Sequence, residues 1–326
     1  MNTLRNPDLY HGENKTRNFF EGWYYRIVTK NNSRTLAFIP GISLGSSPKE
    51  NHSFIQMLDG NNKIYHYFRY TESKFSAINK PFKVRIDNNA FYMNGLSLDI
   101  KKDNINLRGY IMFSNIRKWD DSKLNPGSMG FYNYLPFMEC YSQVCAVDGT
   151  CNGMINLNGE VIDFTGGKIY IEKNWGKSFP IEWLWVQCNS FKDNRCTLTW
   201  SLVHIPFPIK DFKGFLIGVT VDNTFYKFTT INRSNIKLDS EEDVEVIATN
   251  KNLRLLFKTS SKKEDFVLCY GPKNGEMSPF VNESLVSKVY LKLENTNTKE
   301  IIYEGIGDNA GIEFGGKLLD RVNYFR

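Results

Sequence analysis

Two tandem antiparallel β-barrels, with no substantial helix, are the architecture this sequence predicts. Three observations carry the expectation. Aromatic residues are in excess, apolar and polar residues alternate in short runs, and one pattern recurs in both halves of the chain.

The aromatic excess comes first: 24 Phe, 17 Tyr and 6 Trp make up 14% of 326 residues. Aromatic and β-branched side chains suit half-buried pleated surfaces, so this composition favours sheets. Alternation supplies the strands. Lys63-Ile64-Tyr65-His66-Tyr67-Phe68 and Leu253-Arg254-Leu255-Leu256-Phe257-Lys258 are typical runs. Period-two patterning broken by frequent turn residues reads as a sandwich or barrel. Asp59-Gly60, Asp87-Asn88 and Asn158-Gly159 are hairpin connections of the kind such a fold needs.

The repeat doubles the barrel. Trp23-Tyr24-Tyr25 followed by Asn32 to Phe38 is matched by Trp183-Leu184-Trp185 followed by Asn194 to Trp200. The next hairpin keeps the register: Phe54 to Tyr67 recurs as Phe215 to Phe228, and a looser match pairs 154–167 with 291–305. Trp23 and Trp183 lie about 160 residues apart, which sets the expected domains at 1–170 and 171–326. Between 120 and 130 the chain is rich in Pro, Gly, Ser and Asn. It reads as a long loop, with Phe131 to Pro136 after it covering a cavity mouth.

Composition also excludes classes. Hydrophobic residues are 41% and charged residues 23%, an ordinary globular balance. The net charge of +6 is spread in short pairs such as Lys101-Lys102, where a nucleic-acid binder concentrates its charge. No nucleic-acid partner is expected. Six cysteines lack a Cys-x-x-Cys pair and there are only four His, so no metal site is expected. Met1 to Tyr10 has no apolar signal region and no run approaches the roughly 18 apolar residues of a membrane span. The expectation is a cytoplasmic protein with reduced thiols. No Gly-x-Ser-x-Gly elbow, phosphate loop or His-Glu-x-x-His occurs. Gly305-Ile306-Gly307-Asp308-Asn309-Ala310 imitates a dinucleotide fingerprint in a β context and is set aside.

Three stretches resemble the signature of the tocopherol cyclase family, whose architecture is similar to that of lipocalin-like carotenoid hydratases. They are Phe19-Phe20-Glu21-Gly22-Trp23-Tyr24-Tyr25-Arg26, Gly166 through Glu172-Lys173-Asn174-Trp175-Gly176 to Pro180, and Trp183-Leu184-Trp185-Val186-Gln187-Cys188-Asn189. The resemblance extends from about residue 10 to the C-terminus. It implies two lipocalin-like barrels and an enzyme without metal or cofactor that acts on a prenylated quinol. No plastid-targeting segment precedes the first motif, so a plant-type precursor is not expected, and abundant Asn, Lys and Ile point to a low-GC bacterial genome. Transient contact with a membrane surface would suit such a substrate, and the oligomeric state is not legible.

The chemistry can be worked out independently. A carboxylic acid must protonate a trisubstituted alkene, and the phenol oxygen must close onto the tertiary cation. That needs an acid kept neutral by burial, aromatic faces for the cation and polar groups for the ring. Glu21 lies near Trp23 and Glu172 near Trp175, which makes Glu172 and Glu21 the acid candidates, with Glu139 a third. Trp23, Tyr25, Trp175 and Trp185 are candidates for the aromatic lining. Lys173, Asn174, Gln187, Asn189, Gln56 and His204 are candidates for the polar contacts.

Plainer roles stand beside these. Glu172 could pair with Lys173 or Arg26, Glu21 could hold a bulge at the barrel entrance, and the tryptophans could be core. His204 could be a hydrogen-bonded core histidine. On a strand Glu172 and Asn174 share one face and Lys173 and Trp175 the other. Glu172 and Trp175 therefore meet only if the chain bends near Gly176. Gln187 and Asn189 share a face that is either inward or solvated. A non-catalytic carrier of a quinone, terpenoid or other lipid would use the same lining, and a pericyclic cyclase is a third reading.

Overall fold

The computed structural model describes residues 3–136, 138–205, 212–239 and 243–316. Among these residues there is no α-helix; three 3₁₀ turns, Glu72–Lys74, Gly130–Tyr134 and Lys263–Asp265, are the only helical elements. No helix of the described residues is long and apolar enough to cross a membrane.

The chain divides into two compact units. The first runs to Phe179 and also takes Tyr270–Pro279; the second is Pro180–Cys269 with the chain from Phe280 onward. The expected division at 170 would cut the strand Lys168–Gly176. That strand lies wholly in the first unit, because it pairs along its whole length with Phe20–Val28. Tyr270 returns to the first unit for a local reason: its ring packs 4.7 Å from Tyr67 and its N–H donates to Tyr65 Oη at 3.0 Å.

In the first unit the strands are β1 Phe19–Val28, β2 Thr35–Leu44, β3 His52–Asp59 and β4 Ile64–Thr71. They are followed by β5 Phe75–Asn79, β6 Phe82–Ile86, β7 Asn89–Tyr92, β8 Gly95–Lys102 and β9 Ile105–Arg117. The last four are β10 Cys140–Ala146, β11 Asp148–Leu157, β12 Glu160–Asp163 and β13 Lys168–Gly176. The sheet order is β4-β3-β2-β1-β13-β11-β9-β8-β7-β6-β5, a nearly closed antiparallel barrel in which β13 pairs with β1 and the order ends at β4 and β5. Alternation fixes what faces inward: Trp23, Tyr25 and Ile27 of β1 and Ile169 and Ile171 of β13 join one core with Phe38, Phe91 and Phe113. Asn158-Gly159 links β11 to β12 with positive φ at both residues (53° and 95°), the conformation a two-residue type I′ hairpin requires.

The second unit repeats the scheme. Its strands begin with β14 Glu182–Cys188, β15 Cys196–Ile205, β16 Phe212–Val221, β17 Thr224–Thr229 and β18 Asn235–Asp239. They continue with β19 Glu245–Asn250, β20 Leu253–Ser260, β21 Val267–Lys273, β22 Glu276–Asn295 and β23 Ile301–Gly316; of these, β21 from Tyr270 and β22 as far as Pro279 belong to the first unit. The order β17-β16-β15-β14-β23-β22-β20-β19-β18 mirrors the first half, with β14 in the place of β1 and β23 in the place of β13.

The repeat is real, but pairing Trp23 with Trp183 slips it by one residue. Trp23 points into the first core, whereas in β14 the inward residues are Leu184, Val186 and Cys188. Trp183 and Trp185 therefore stand on the opposite face, where they are nonetheless 5% and 7% exposed. Because side chains alternate with period two, a one-residue slip reverses every side chain. The segment after the 120–130 loop forms the turn Gly130–Tyr134, in which Phe131 and Tyr134 are exposed and Asn133 anchors to the Pro126 carbonyl at 2.7 Å.

Candidate functional site

Two clusters have the chemistry of a site, one in each unit. In the first, antiparallel register sets Trp23 opposite Lys173 and Glu21 opposite Trp175, all on the inward face. Glu21 and Lys173 are fully buried, and their side chains form a direct ion pair. The ammonium lies 4.9 Å from the Trp23 ring and 4.7 Å from the Trp175 ring. Leu9 offers its carbonyl to the same ammonium, and His11 Nδ1 lies 3.2 Å away. The Leu9 carbonyl and the Glu21 carboxylate accept two of the three N–H donors of the lysine, with His11 Nδ1 within reach of the third.

The chain before β1 is drawn across this end of the barrel. His11 N–H donates to Glu21 Oε2 at 2.8 Å, and its ring stacks on Trp175 at 4.1 Å. Tyr10 N–H donates to Asn79 Oδ1 at 2.9 Å, and Asp8 accepts from Gln143 Nε2 at 2.8 Å. A dry ion pair costs several kcal/mol per ion in lost hydration, and only such complete pairing offsets it.

Charge states follow. Burial pushes Glu21 up, but the Lys173 ammonium and His11 together hold it below its ordinary 4.5. Burial lowers His11 from 6.5, opposed by its hydrogen bond to Glu21. His11 Nδ1 stands between the Lys173 ammonium at 3.2 Å and Glu21 Oε1 at 3.3 Å. Glu21 and His11 both have folded values below their unfolded ones, so each contributes stability that is present above its ordinary value and lost as pH falls below it. Melting temperature should hold above pH 6.5, decline below it as His11 is forced to charge, and fall faster below about 4.5. His11→Asn should reduce the decline between pH 6.5 and 4.5 in melts followed by circular dichroism, leaving the part due to His52, which burial also holds below 6.5. If the decline is undiminished there, His11 is not its source.

The opposite face of β13 carries the other sequence candidates. Glu172 points away from Lys173 and Trp175 and accepts from Ser142 Oγ at 2.9 Å and Tyr170 Oη at 2.6 Å. Asn174 shares that face, opposite Gly22 and Ser142. Glu172 and Trp175 do not meet: β13 stays regular through Trp175, and the bend that would join them is absent. Glu139 is half-buried just ahead of β10, and its carbonyl accepts from Lys177 N–H at 2.8 Å. Gln56 faces away from the first core and accepts from Tyr65 Oη. Tyr25 is fully buried inside the core, where burial pushes its phenol well above the ordinary range.

In the second unit β22 and β23 place Glu283 directly opposite Glu313, and β14 places Trp185 opposite Glu313 on the other side. Trp183 Nε1 donates to Glu313 Oε1 at 2.6 Å. Gly315 makes this contact fit: a Cβ there would stand 2.1 Å from Trp183 Cη2, so the indole lies across β23 only because the side chain is missing. Phe280 meets Trp183 edge-on at 5.9 Å. Glu283 is 2% exposed. Burial, then the nearby Glu283 and Glu313, pushes the Cys269 thiol well above its usual range. Like charges directly opposite across a ladder repel. Gln187 is on this face, one position along from Trp185, and is fully buried; Asn189 follows just beyond β14, also buried. His204 stands apart from the pair, 3.3 Å from Glu182. Among the described residues no three His, Cys, Asp or Glu side chains are grouped to hold a metal ion.

The profile of the family described as "Tocopherol cyclase-like" matches residues 106–316. The chain belongs to the tocopherol cyclase-like family. The match spans β9 to the end of β23, so it includes the Glu172-Lys173-Asn174-Trp175-Gly176 run and both Glu283 and Glu313. A "Probable tocopherol cyclase, chloroplastic" of Oryza sativa subsp. japonica is 33% identical over 220 residues, 61% of this chain and 44% of that protein. The "Tocopherol cyclase, chloroplastic" of Zea mays is 39% identical over 115 residues, 34% of this chain and 24% of that protein. The chain thus spans less than half the length of these relatives. Among solved structures, that of CghA with Sch210972 aligns with a TM-score of 0.57 at 7% identity, covering 91% of this chain and 88% of that one; the likeness is one of fold.

In this tocopherol cyclase-like chain, sequence reasoning missed His11, Glu283 and Glu313. The glutamates had a signal: each is a lone carboxylate in a β run, Val281-Asn282-Glu283-Ser284-Leu285 and Gly311-Ile312-Glu313-Phe314. Their pairing had none, because it depends on the β22–β23 register. His11 lies outside any regular element, and nothing local marks it.

Proposed function

We propose that this tocopherol cyclase-like protein catalyses the acid-promoted ring closure of a prenylated quinol, using the Glu283–Glu313 pair as the acid. The observation that carries the reading is that pair itself, two facing carboxyls with Trp183 bonded to one and Trp185 beside it. The pair's proton passes to the less substituted carbon of the alkene, leaving a tertiary cation. The indoles of Trp183 and Trp185 stabilise that cation, by roughly 2 kcal/mol or more for a desolvated charge on an aromatic face. The phenol oxygen forms the new C–O bond, and the phenolic proton returns to the pair. Substrate and product are isomers, and the acid is regenerated. Gln187 is suited to orient the ring oxygen. With water in place of the phenol, the same steps hydrate an isoprenoid alkene.

Glu21 takes a different part in this reading. Lys173 holds it ionised, so it is no proton donor; with Lys173, Trp23 and Trp175 it locks one end of the first barrel. The test is incubation of the purified protein with a prenyl-hydroquinone. The expected product has the substrate's mass and no longer oxidises to a quinone. Substrate that binds and returns unchanged would make the protein a carrier, and substrate that does not bind would remove the quinol from consideration.

A further inference from the structure

Between β9 and β10 the chain presents three large apolar side chains to solvent. Leu124 is 81% exposed, Phe131 43% and Tyr134 40%. They form one cluster. Phe131 and Tyr134 are three residues apart in the 3₁₀ turn Gly130–Tyr134, a spacing that puts both on one side of the turn. Tyr134 Oη donates to the Lys123 carbonyl at 3.0 Å, which brings Leu124 beside them. Single exposed apolar residues are ordinary, whereas a cluster held together marks a contact surface.

The segment behind the cluster is held by its own hydrogen bonds. Ser122 and Asn125 exchange backbone bonds at 3.1 and 3.0 Å. Gly127 N–H donates to Asp121 Oδ2 at 2.6 Å, and Ser128 N–H to Gln143 Oε1 at 2.9 Å. Asn133 Nδ2 donates to the Pro126 carbonyl, and Tyr141 Oη to the Leu135 carbonyl. Peptide groups already bonded in this way can enter a water-poor layer without being stripped of hydration they still need.

Charge and shape select the occupant. Asp121 is bonded back to the segment, whereas Lys123 is exposed beside Leu124 with no ion-pair partner among the described residues. A lysine next to a protruding leucine and two aromatic rings suits the boundary of a bilayer. There its carbon stem lies along apolar surface while the ammonium reaches phosphate. The cluster stands on a turn and not on a strand, so it offers a partner chain no ladder to extend.

We propose that Leu124, Phe131 and Tyr134, with Lys123, dock the protein on a phospholipid bilayer surface. The contact is peripheral: the side chains enter the interface and the barrel stays outside. It belongs to the first unit and does not rest on the acid chemistry assigned to the second.

The probe is a vesicle of equimolar phosphatidylcholine and phosphatidylglycerol. The native protein should sediment with it. Leu124→Ser and Phe131→Ser should each weaken the partition about tenfold, with folding checked by circular dichroism. Lys123→Glu should weaken it more at low salt than at high salt. The emission that Leu124→Trp adds should move to the blue with vesicles and be quenched by brominated lipid. Val161→Trp is the control. Val161 lies opposite Asn156, and Arg117, where the segment begins, lies opposite Asp148, so the two are near opposite ends of β11, roughly 26 Å apart. Its added emission should not respond. No sedimentation with vesicles, full partition of folded Leu124→Ser, or quenching at Val161→Trp in place of Leu124→Trp would each overturn the proposal. Self-association that Leu124→Ser abolishes, with no vesicle binding, would overturn it in favour of a second copy of the chain.

Discussion

Glu283→Gln should reduce cyclisation by about 10²–10⁴-fold while leaving the fold intact, the range lost when a positioned acid is removed. The change keeps side-chain shape and the β22–β23 register, and removes only the ability to hold and deliver the proton. Glu313 is half-buried and keeps its bond from Trp183, so Glu283→Gln leaves a single carboxyl in place of the facing pair. Turnover of a prenyl-hydroquinone is the measurement, with circular dichroism and melting temperature as controls. A folded Glu283→Gln enzyme with native turnover would remove the pair from the mechanism. Glu21→Gln is the informative contrast: if it, and not Glu283→Gln, abolishes turnover without a loss of stability, the acid belongs to the first barrel.

The second large effect is on stability. Lys173→Met should destabilise the protein by about 3–5 kcal/mol, the cost of leaving one member of a buried pair unmatched. The methionine fills much of the space between Trp23 and Trp175, so lost packing contributes little. What remains is a fully buried Glu21 carboxylate, still bonded to His11 N–H but without its cation. In Glu21→Gln/Lys173→Met both charges are gone, and much of the loss should be recovered. Urea melts of the two single variants and the double variant give the coupling directly. A Lys173→Met loss under about 1 kcal/mol would mean that the pair is not sustained in solution.

Much of the architecture was legible in the chain. Aromatic content and alternation specify strands, Asn158-Gly159 specifies a tight hairpin, and the repeat specifies two barrels, because each reads out a local backbone preference or a period-two pattern. The two faces of β13 were legible for the same reason: Glu172 and Asn174 stand on one, Lys173 and Trp175 on the other. Local pattern also showed its limit at Trp183. Similarity of letters aligned it with Trp23, although the pleat puts the two on opposite faces of their sheets.

What sequence alone determined, then, is the strands, their doubling and the family motif, since these are written in neighbouring residues. Tertiary structure alone decided which charged groups meet. Glu21 and Lys173 are 152 positions apart in the chain, Glu283 meets Glu313 through ladder register, and His11 is brought in by a segment with no regular structure of its own. The charge state of each carboxyl depends on its burial and on the group that closes against it. Both are properties of the folded chain, and no residue carries them by itself.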